Sequence, residues 1–417
     1  MGRMGRFIRA LAIIAALLTV TAVFALTQSV PLVAQPPPTD AATVGAGRDA
    51  LLQLRAPAVP VGQPVTVTID PGERDGLTAL ANQAFRPARV AAEQKGNALI
   101  LSLSKPLPLG RWLNVRADMA GESKGFPPVR LTIGHLALSP SWSRWLIDQG
   151  LRYGVANGVT LPPLDRLIQR IAITAAGVTA TVLRPSSESG LAGLATLAGA
   201  HAEPPSAGLI SQHYCRLAKT QKEQPSNDFA THVRRAFAGP ALIDTKDQNR
   251  AALVALAMFA VDTSIDELAG EASAAVAKCR IASPELILWG RSDLSRHWAL
   301  SAGLAARLGP QMAGQMGEWK ELLDSLPDGS GFSFVDLAAD RSGFRHASAA
   351  ASAETASALR NRLARARDQD LLPPNLLKAP EGLSRESWEA RYSNTDAATY
   401  RAAVTAIDQQ LGVAGIR

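Results

Sequence analysis

Polar side chains recur at helical spacing on otherwise apolar stretches between residues 291 and 351. Asp293, His297 and Ser301 are four residues apart, so they share one face of a helix. Acidic residues follow at similar spacing on the next two stretches: Glu318, Glu321 and Asp324, then Asp336 and Asp340. Three helices joined by short connections would bring one imidazole and several carboxylates together in a helical core.

This residue set is suited to binding a divalent cation. One histidine with several carboxylates fits Mg²⁺ or Mn²⁺ better than Zn²⁺. Burying so many carboxylates alone is very costly, so a cation, Arg341 or Lys320, or shared protons must compensate their charge. If the site is catalytic, we expect metal-assisted hydrolysis. In that hypothesis His297 is a base or a ligand, Glu321 is a catalytic residue or a ligand, and the remaining acids are ligands: Asp324, Asp336 and Asp340.

The same residues also have a structural interpretation. Asp293 is typical of a helix N-cap, and Ser333 with Asp336 has the spacing of a capping box. Lys320 and Asp324 are spaced for a surface ion pair. The competing hypothesis is therefore a non-enzymatic structural or lipid-handling module, in which a buried polar network fixes the helix register.

Several common catalytic patterns are absent from the sequence. There is no H-E-x-x-H motif, which excludes a zincin. Ser330 does not lie in a nucleophile elbow, because Asp328 replaces the first glycine of G-x-S-x-G. No glycine-rich loop has the pattern that binds phosphates or dinucleotides.

Three segments of residues 291–351 carry a family resemblance. They read D-L-x-x-H from Asp293, K-E-x-x-D from Lys320, and G-S-G-F-S-F-x-D-L-A-A-D-x-x-G from Gly329. This signature resembles that of uncharacterised exported bacterial proteins and, more distantly, YfiM-type lipoproteins and VanZ-like membrane proteins. The resemblance implies a shared helical site but no particular activity. Trp298 replaces the phenylalanine that usually follows the family's histidine.

The periodicity of the chain predicts an α+β fold. Period-two runs indicate an antiparallel β-rich domain over residues 48–184, with one or two helices. Almost all of residues 208–417 has helical period, which predicts an all-α domain. Residues 185–207 are rich in Pro, Ser and Gly and are predicted to be a linker.

The β-rich region resembles exported modules that precede helical domains in bacterial envelope proteins. The resemblance lies in residues 107–115, in residues 134–136 and in Trp142. It implies a sheet with an apolar concave face for a lipid chain, so a lipid or another envelope component is a candidate partner. The alternative is that Trp112, Trp142 and Trp145 serve only in core and rim packing.

The N-terminus has the composition of an export segment. Arg3, Arg6 and Arg9 precede an uncharged apolar run of 17 residues, 10–26. A membrane-spanning helix needs about 20 apolar residues, so residues 1–35 are either a cleaved signal or an uncleaved inner-membrane anchor. In both cases the positive-inside rule places the rest of the chain in the periplasm.

Two further features bear on compartment and partners. Cys215 and Cys279 are expected to form a disulfide in an oxidising compartment, the alternative being two buried free thiols. The chain carries 43 basic and 36 acidic residues, and no basic run is interleaved with aromatic residues. We therefore expect a membrane contact through the N-terminal segment and no nucleic-acid partner.

The export prediction can be tested with reporter fusions. A reporter fused after residue 45 should be active only outside the cytoplasm, because the three arginines precede the apolar run. The matched control deletes residues 10–26 and should return the activity to the cytoplasm. Cytoplasmic activity of the intact fusion would contradict the prediction.

Overall fold

A computed structural model describes most of the chain beyond residue 20. It covers residues 21, 23–34, 36, 39–55, 59–156, 162–184, 205–239, 245–261, 271–309, 317–318, 320–322, 324–325 and 329–416. The chain divides into two compact units, residues 1–37 with 46–186 and residues 38–45 with 187–417. Antiparallel sheets in the first unit precede helices in the second, which confirms the predicted α+β class.

The first unit contains two antiparallel sheets. The strands are β1 (Pro64–Ile69), β2 (Arg89–Lys95), β3 (Ala98–Pro106), β4 (Trp112–Ala120), β5 (Val129–Ile133), β6 (Leu136–Ala137), β7 (Ile168–Thr174) and β8 (Gly177–Leu183). The larger sheet has the order β2-β3-β4-β5-β6. The smaller has the order β1-β8-β7, so the first strand of the unit pairs with the last.

The smaller sheet is formed by a hairpin, β7 and β8, that pairs with β1. The continuous apolar pattern of residues 171–183 is divided by a turn between Thr174 and Gly177, which makes β7 and β8 a hairpin. Threonines on facing strands then bond β1 to β8, with 2.9 Å between the hydroxyl oxygens of Thr66 and Thr181.

Four helices precede or alternate with these strands along the chain. They are α1 (Ala41–Arg55), α2 (Pro71–Ala84), α3 (Pro140–Ala156) and α4 (Leu164–Leu167). Helix α2 begins at a capping box, in which the Asp70 side chain accepts from the Glu73 N–H and the Glu73 side chain accepts from the Asp70 N–H. The sequence predicted neither α1 nor α2.

Residues before α1 pack along the first residues of β4. The Gln28 N–H donates to the Trp112 carbonyl at 2.9 Å, and the Trp112 N–H donates back at 2.8 Å. Asn114 Oδ1 accepts from the Leu32 N–H, and Val33 is buried. Residues 1–20 of the predicted export segment, and 185–204 of the predicted linker, lie outside the described residues. Among the described helices, none has the length and apolarity to cross a membrane.

The second unit is helical. Its helices are α5 (Ala207–Glu223), α6 (Phe229–Phe237), α7 (Thr245–Ala260), α8 (Glu271–Val276), α9 (Ser292–Leu308), α10 (Phe334–Ala351), α11 (Ala356–Leu363), α12 (Asp368–Leu371), α13 (Arg385–Tyr392) and α14 (Ala398–Val413). The described residues between 317 and 324 are also helical. Single 3₁₀ turns cover Ala277–Cys279 and Pro374–Lys378.

Helix α9 packs closely against α10 in the core of this unit. A Cβ atom on Gly343 of α10 would lie 2.3 Å from the Trp298 carbonyl oxygen of α9, so only glycine permits this approach. The Trp298 ring is fully buried and its Nε1–H points to Ser342 Oγ at 3.3 Å. This contact fixes the position of α9 against α10.

An aromatic cluster holds the start of α10 against α13 and α14. Phe332 and Phe334 lie 4.9 Å apart, measured between ring centroids. Their neighbours are Trp388 and Tyr392 of α13 and Tyr400 of α14. The first turn of α10 is therefore well anchored.

The predicted disulfide between Cys215 and Cys279 is confirmed. It joins α5 to the 3₁₀ turn that follows α8, with 5.4 Å between the two Cα atoms. The bond closes a loop of 64 residues in sequence separation.

Removal of the disulfide should destabilise the helical unit. Because the loop is long, the Cys215→Ser/Cys279→Ser variant should lose about 4 kcal/mol of unfolding free energy on the chain-entropy account. Denaturant unfolding followed by far-ultraviolet circular dichroism measures the loss. The matched control is Ser211→Ala, which keeps the bond and should change the unfolding free energy by about 1 kcal/mol or less. An equal, small change in both variants would contradict the prediction.

Candidate functional site

Helix α9 carries the histidine of the site. Its N-cap is Arg291, so the expectation that Asp293 caps this helix was wrong. Asp293 lies in the first turn and pairs with Arg291, at 2.6 Å between Asp293 Oδ2 and Arg291 Nη2. His297 follows one turn later, is 7 % exposed and points toward α10.

Helix α10 contributes two carboxylates one turn apart. Ser333 is its N-cap and accepts from the Asp336 N–H at 3.0 Å, as the capping pattern predicted. The Asp336 carboxylate, however, lies near Arg291 and His297 instead. Asp340 is 3 % exposed and faces the same histidine.

The helical residues between 317 and 324 supply the third acidic element. Glu321 is fully buried, and its Oε2 accepts from the Ser333 N–H at 3.1 Å. A Cβ atom on Gly317 would lie 2.7 Å from Asp340 Oδ2, so this segment lies directly against Asp340. The N-cap residue of α10 therefore orients the glutamate that joins the cluster.

Three side chains converge in a geometry that could hold a cation. His297 Nδ1 lies 3.2 Å from Asp340 Oδ2 and 3.8 Å from Glu321 Oε1. One ligand atom from each of His297, Glu321 and Asp340 lies within 4.8 Å of the others. Adjacent ligand atoms around an octahedral Mg²⁺ are about 3 Å apart. The three donor atoms would therefore have to move modestly closer together to bind one cation. The predicted convergence of histidine and carboxylates is confirmed.

The other predicted site residues lie around this group of three. Asp336 Oδ2 is 3.6 Å from His297 Nε2, so it faces the opposite ring nitrogen. Asp324 pairs with Lys320 at 2.6 Å, the ion pair that the spacing predicted, and does not join the group. Lys320 Nζ also lies 3.4 Å from Glu321 Oε1. Cys215 and Cys279 belong to the disulfide and take no part in the cluster.

Buried charges shift the proton affinity of the histidine. Burial lowers the pKa of His297, but the Asp340 carboxylate, by charge and hydrogen bonding, and the Asp336 charge outweigh that effect and raise the pKa to about 9. The imidazole is therefore held as an imidazolium near neutral pH.

The neighbouring acids are shifted toward their neutral forms. Burial raises the pKa of Glu321 to about 7, although the Lys320 and His297 charges oppose the rise. Burial also raises the pKa of Asp336, against the influence of His297 and Arg291. Protons and positive side chains thus share the compensation of charge in this cluster.

Some members of the site were not predicted from the sequence. Arg291 links Asp293, Asp336 and Glu381 at 2.6, 3.4 and 2.7 Å, and no spacing rule connects residue 291 to residue 381. Ser301, by contrast, was predicted to share a helix face with His297; it is buried one turn beyond His297, and its hydroxyl has no hydrogen-bond partner among the described residues.

Comparison with known proteins does not identify the site. No family model, curated protein or solved structure matches this chain. The residues and their geometry are therefore the only basis here for inferring a function.

The pKa of His297 predicts a pH-dependent contribution to stability. A folded-state pKa of about 9 against the ordinary value of 6.5 means that the imidazolium stabilises the fold below pH 6.5 and loses this effect as pH rises through 9. With chelator present, the difference in unfolding free energy between wild type and His297→Gln should shrink by about 3 kcal/mol over that range. Denaturant titrations at several pH values measure this difference.

His213→Gln is the matched control. Burial lowers the pKa of His213 to about 4, so its contribution changes only as pH falls from 6.5 through 4. The His213→Gln difference should stay constant between pH 8 and 10. A His297→Gln difference that grows with rising pH would overturn the proposed charge state.

Proposed function

We propose that the helical unit binds a divalent cation through His297, Glu321 and Asp340 and acts as a metal-assisted hydrolase of the cell envelope. The observation that carries the proposal is the convergence of one imidazole nitrogen and two carboxylate oxygens within 4.8 Å. An imidazole with carboxylates favours Mg²⁺ or Mn²⁺. Carboxylates of Glu321, Asp336 and Asp340 lie 3.2–3.8 Å from nitrogens of the His297 ring, and this concentration of acidic groups also favours a cation.

The surrounding residues fit the support that a cation site needs. The Ser333 N–H holds Glu321 Oε2, and Lys320 lies near Glu321 Oε1. Asp336 faces the His297 nitrogen that does not face Asp340, which is the usual arrangement for orienting a ligating histidine. These contacts would keep the three donors in place around a bound cation.

The proposed chemistry is the addition of water across a bond of the substrate. A divalent cation supplies a Lewis acid that polarises a carbonyl or phosphoryl oxygen. In that reaction His297, oriented by Asp336, would serve as a ligand or a proton acceptor, and the ionised carboxylates of Glu321 and Asp340 would serve as ligands. The envelope as location is supported by the predicted export segment and by the resemblance of residues 293–343 to exported proteins.

A second candidate function is structural. Both nitrogens of His297 face carboxylates, at 3.2 and 3.6 Å, so the imidazolium can itself neutralise the cluster. In this alternative the polar network fixes the register of α9 against α10 in a non-enzymatic envelope or lipid-handling module. The near-complete burial of the cluster favours this candidate.

Cation binding separates the two candidates. Calorimetric titration with Mn²⁺ near pH 8, after chelator treatment, should show one ion per chain, and thermal stability should rise with Mn²⁺ concentration. Asp340→Asn and Glu321→Gln should each weaken binding at least tenfold, because each removes a charged ligand. Electron paramagnetic resonance of free Mn²⁺ provides an independent measure.

Asp324→Asn is the matched control, because Asp324 comes from the same segment as Glu321 and pairs with Lys320. It should retain affinity within about twofold of wild type. No Mn²⁺ binding, or equal binding by Asp340→Asn, would favour the structural network. Circular dichroism of each variant establishes that the fold is kept.

The hydrolytic step has a separate test. Wild-type protein with Mn²⁺ is incubated with isolated bacterial envelopes, and the released soluble fragments are analysed by mass spectrometry. Release should depend on Mn²⁺ and be lost in Asp340→Asn, while Asp324→Asn retains it. A protein that binds Mn²⁺ but releases no fragments would contradict the hydrolase proposal and leave cation binding intact.

A further inference from the structure

A second polar cluster lies in the helical unit, around the C-terminal end of α6. Its charged members are Arg216 of α5 and Arg360 of α11. Its neutral polar members come from α5 and α7, and they are His213, Gln248 and Asn249. Arg360 is 6 % exposed and Asn249 is fully buried, whereas Arg216 is exposed. The cluster therefore reaches solvent at α5. These five residues are named the arginine cluster.

Neutral groups hold both guanidiniums in place. Arg360 donates from Nε and Nη2 to the Gly239 carbonyl, at 3.3 and 3.2 Å, and from Nη1 to Asn249 Oδ1 at 3.1 Å. Arg216 donates from Nη2 to the Ala236 carbonyl at 2.9 Å, in a partly buried hydrogen bond. Because Ala236 and Gly239 are three residues apart, both guanidiniums are held at the same end of α6.

His213 contacts Arg216 as a neutral imidazole. Arg216 Nη2 lies 2.9 Å from His213 Nδ1, and His213 Nε2 lies 3.2 Å from Gln248 Oε1. Because arginine can only donate, Nδ1 is the acceptor and Nε2 carries the proton that is donated to Gln248. Burial, together with the Arg216 and Arg360 charges, lowers the pKa of His213 to about 4, which agrees with a neutral ring. The arginine cluster therefore carries two positive charges.

No carboxylate of the described chain lies within ion-pair distance of either guanidinium. Partial burial lowers the pKa of Arg216, and burial together with the Arg216 charge lowers the pKa of Arg360. Elsewhere in this unit Arg291 and Arg341 are paired with aspartates. Two neighbouring like charges that are partly removed from water are costly, which favours compensation by an anion.

Capping of α6 accounts for the hydrogen bonds of the arginine cluster but not for its charge. The carbonyl groups at a helix C-terminus carry about half a negative elementary charge in total. The last turn of α6 already contains Arg234 and Arg235. Arg216 and Arg360 add two further positive charges at the same place, which is more than the helix end can balance.

The charge and the remaining donors favour a phosphate group as the anion. The Nε–H and Nη1–H groups of Arg216 have no acceptor among the residues that the structure describes, so they can bind a ligand. Hydrogen bonds from a guanidinium to phosphate or carboxylate oxygens are strong. A phosphate group carries about −1.5 to −2 charge at pH 7, whereas a carboxylate carries a single charge. One phosphate group can therefore balance both arginines.

We propose that Arg216 and Arg360 bind a phosphate group at the C-terminal end of α6, either as free phosphate or as the phosphate of a larger monoester. The exposed Arg216 gives the ligand access from solvent, and the buried Arg360 supplies the second charge. This site shares no residue with the proposed cation site, so either can exist without the other.

Phosphate titration of the full chain tests the site. The protein is treated with chelator and dialysed, so that no cation holds phosphate, and the ionic strength is kept constant with sodium chloride. Calorimetry with inorganic phosphate near pH 7.5 should show one saturable site per chain. The midpoint of thermal unfolding should rise with phosphate concentration. Arg216→Gln should weaken binding about tenfold or more, because it removes a charge and its hydrogen bonds.

Lys219→Gln is the matched control. It removes one positive charge from the same helix, three residues beyond Arg216, at a side chain that is 75 % exposed and lies near Glu223. Its affinity for phosphate should stay within about twofold of wild type, since exposed charges are well screened. Circular dichroism establishes that both variants keep the fold.

Glycerol 3-phosphate and acetate define the class of ligand. Tighter binding of glycerol 3-phosphate than of inorganic phosphate would assign the site to a phosphate monoester, and the reverse order would assign it to the free ion. Acetate should bind about tenfold more weakly or less, because it carries a single charge. Acetate binding as tight as that of phosphate, no saturable phosphate binding, or equal losses in Arg216→Gln and Lys219→Gln would overturn the proposal.

Discussion

The close approach of α9 and α10 is the contact on which the helical unit and its polar cluster depend. Gly343 allows it, because any side chain there would meet the Trp298 carbonyl at 2.3 Å. His297 precedes that tryptophan, and Asp340 lies one turn before that glycine. The backbone contact that packs the core therefore also sets the 3.2 Å distance between His297 Nδ1 and Asp340 Oδ2. A change in helix spacing would move the apolar core and the charged pair together.

Burial makes the cluster sensitive to its charge balance. Glu321 is fully enclosed, and polar groups close to its carboxylate are the Ser333 N–H, the Lys320 ammonium, the His297 ring and the Asp340 carboxylate. Removing one partner of a buried charge leaves the other uncompensated, which commonly costs about 3–5 kcal/mol. The aromatic anchor of α10 and the N-cap at Ser333 oppose relaxation of this arrangement. The polar groups are thus positioned by apolar packing, and their energy depends on protons or cations.

Periodicity predicted the fold class and the convergence of His297 with Asp340, because each spacing places a side chain on a helix face. It could not predict the rotation of one helix against another, so it gave Asp324 and Asp336 the same expected role as Asp340. The structure places Asp324 on Lys320 and Asp336 on the far side of His297. Helix α2 was missed because several of its buried positions are polar, among them Glu73, Thr78 and Asn82, so it has little apolar periodicity. The pairing of β1 with β8 was missed because it joins strands far apart in sequence. Arg291 was missed as a link because its partner Glu381 lies 90 residues away.

The two candidate functions of the cluster are connected by one equilibrium. His297 carries a proton at neutral pH because Asp340 and Asp336 attract positive charge, and the same attraction would favour a divalent cation. Since a metal-bound histidine must be neutral and a ligating carboxylate ionised, cation and proton compete for the same groups. When His297 is protonated, the imidazolium and the carboxylates form a polar network without metal. When His297 is neutral, its ring and the carboxylates of Glu321 and Asp340 would be three converging ligands. The same residues would thus stabilise helix packing at low pH and bind a cation as pH rises, because the loss of the proton from His297 removes the positive charge that balanced the carboxylates.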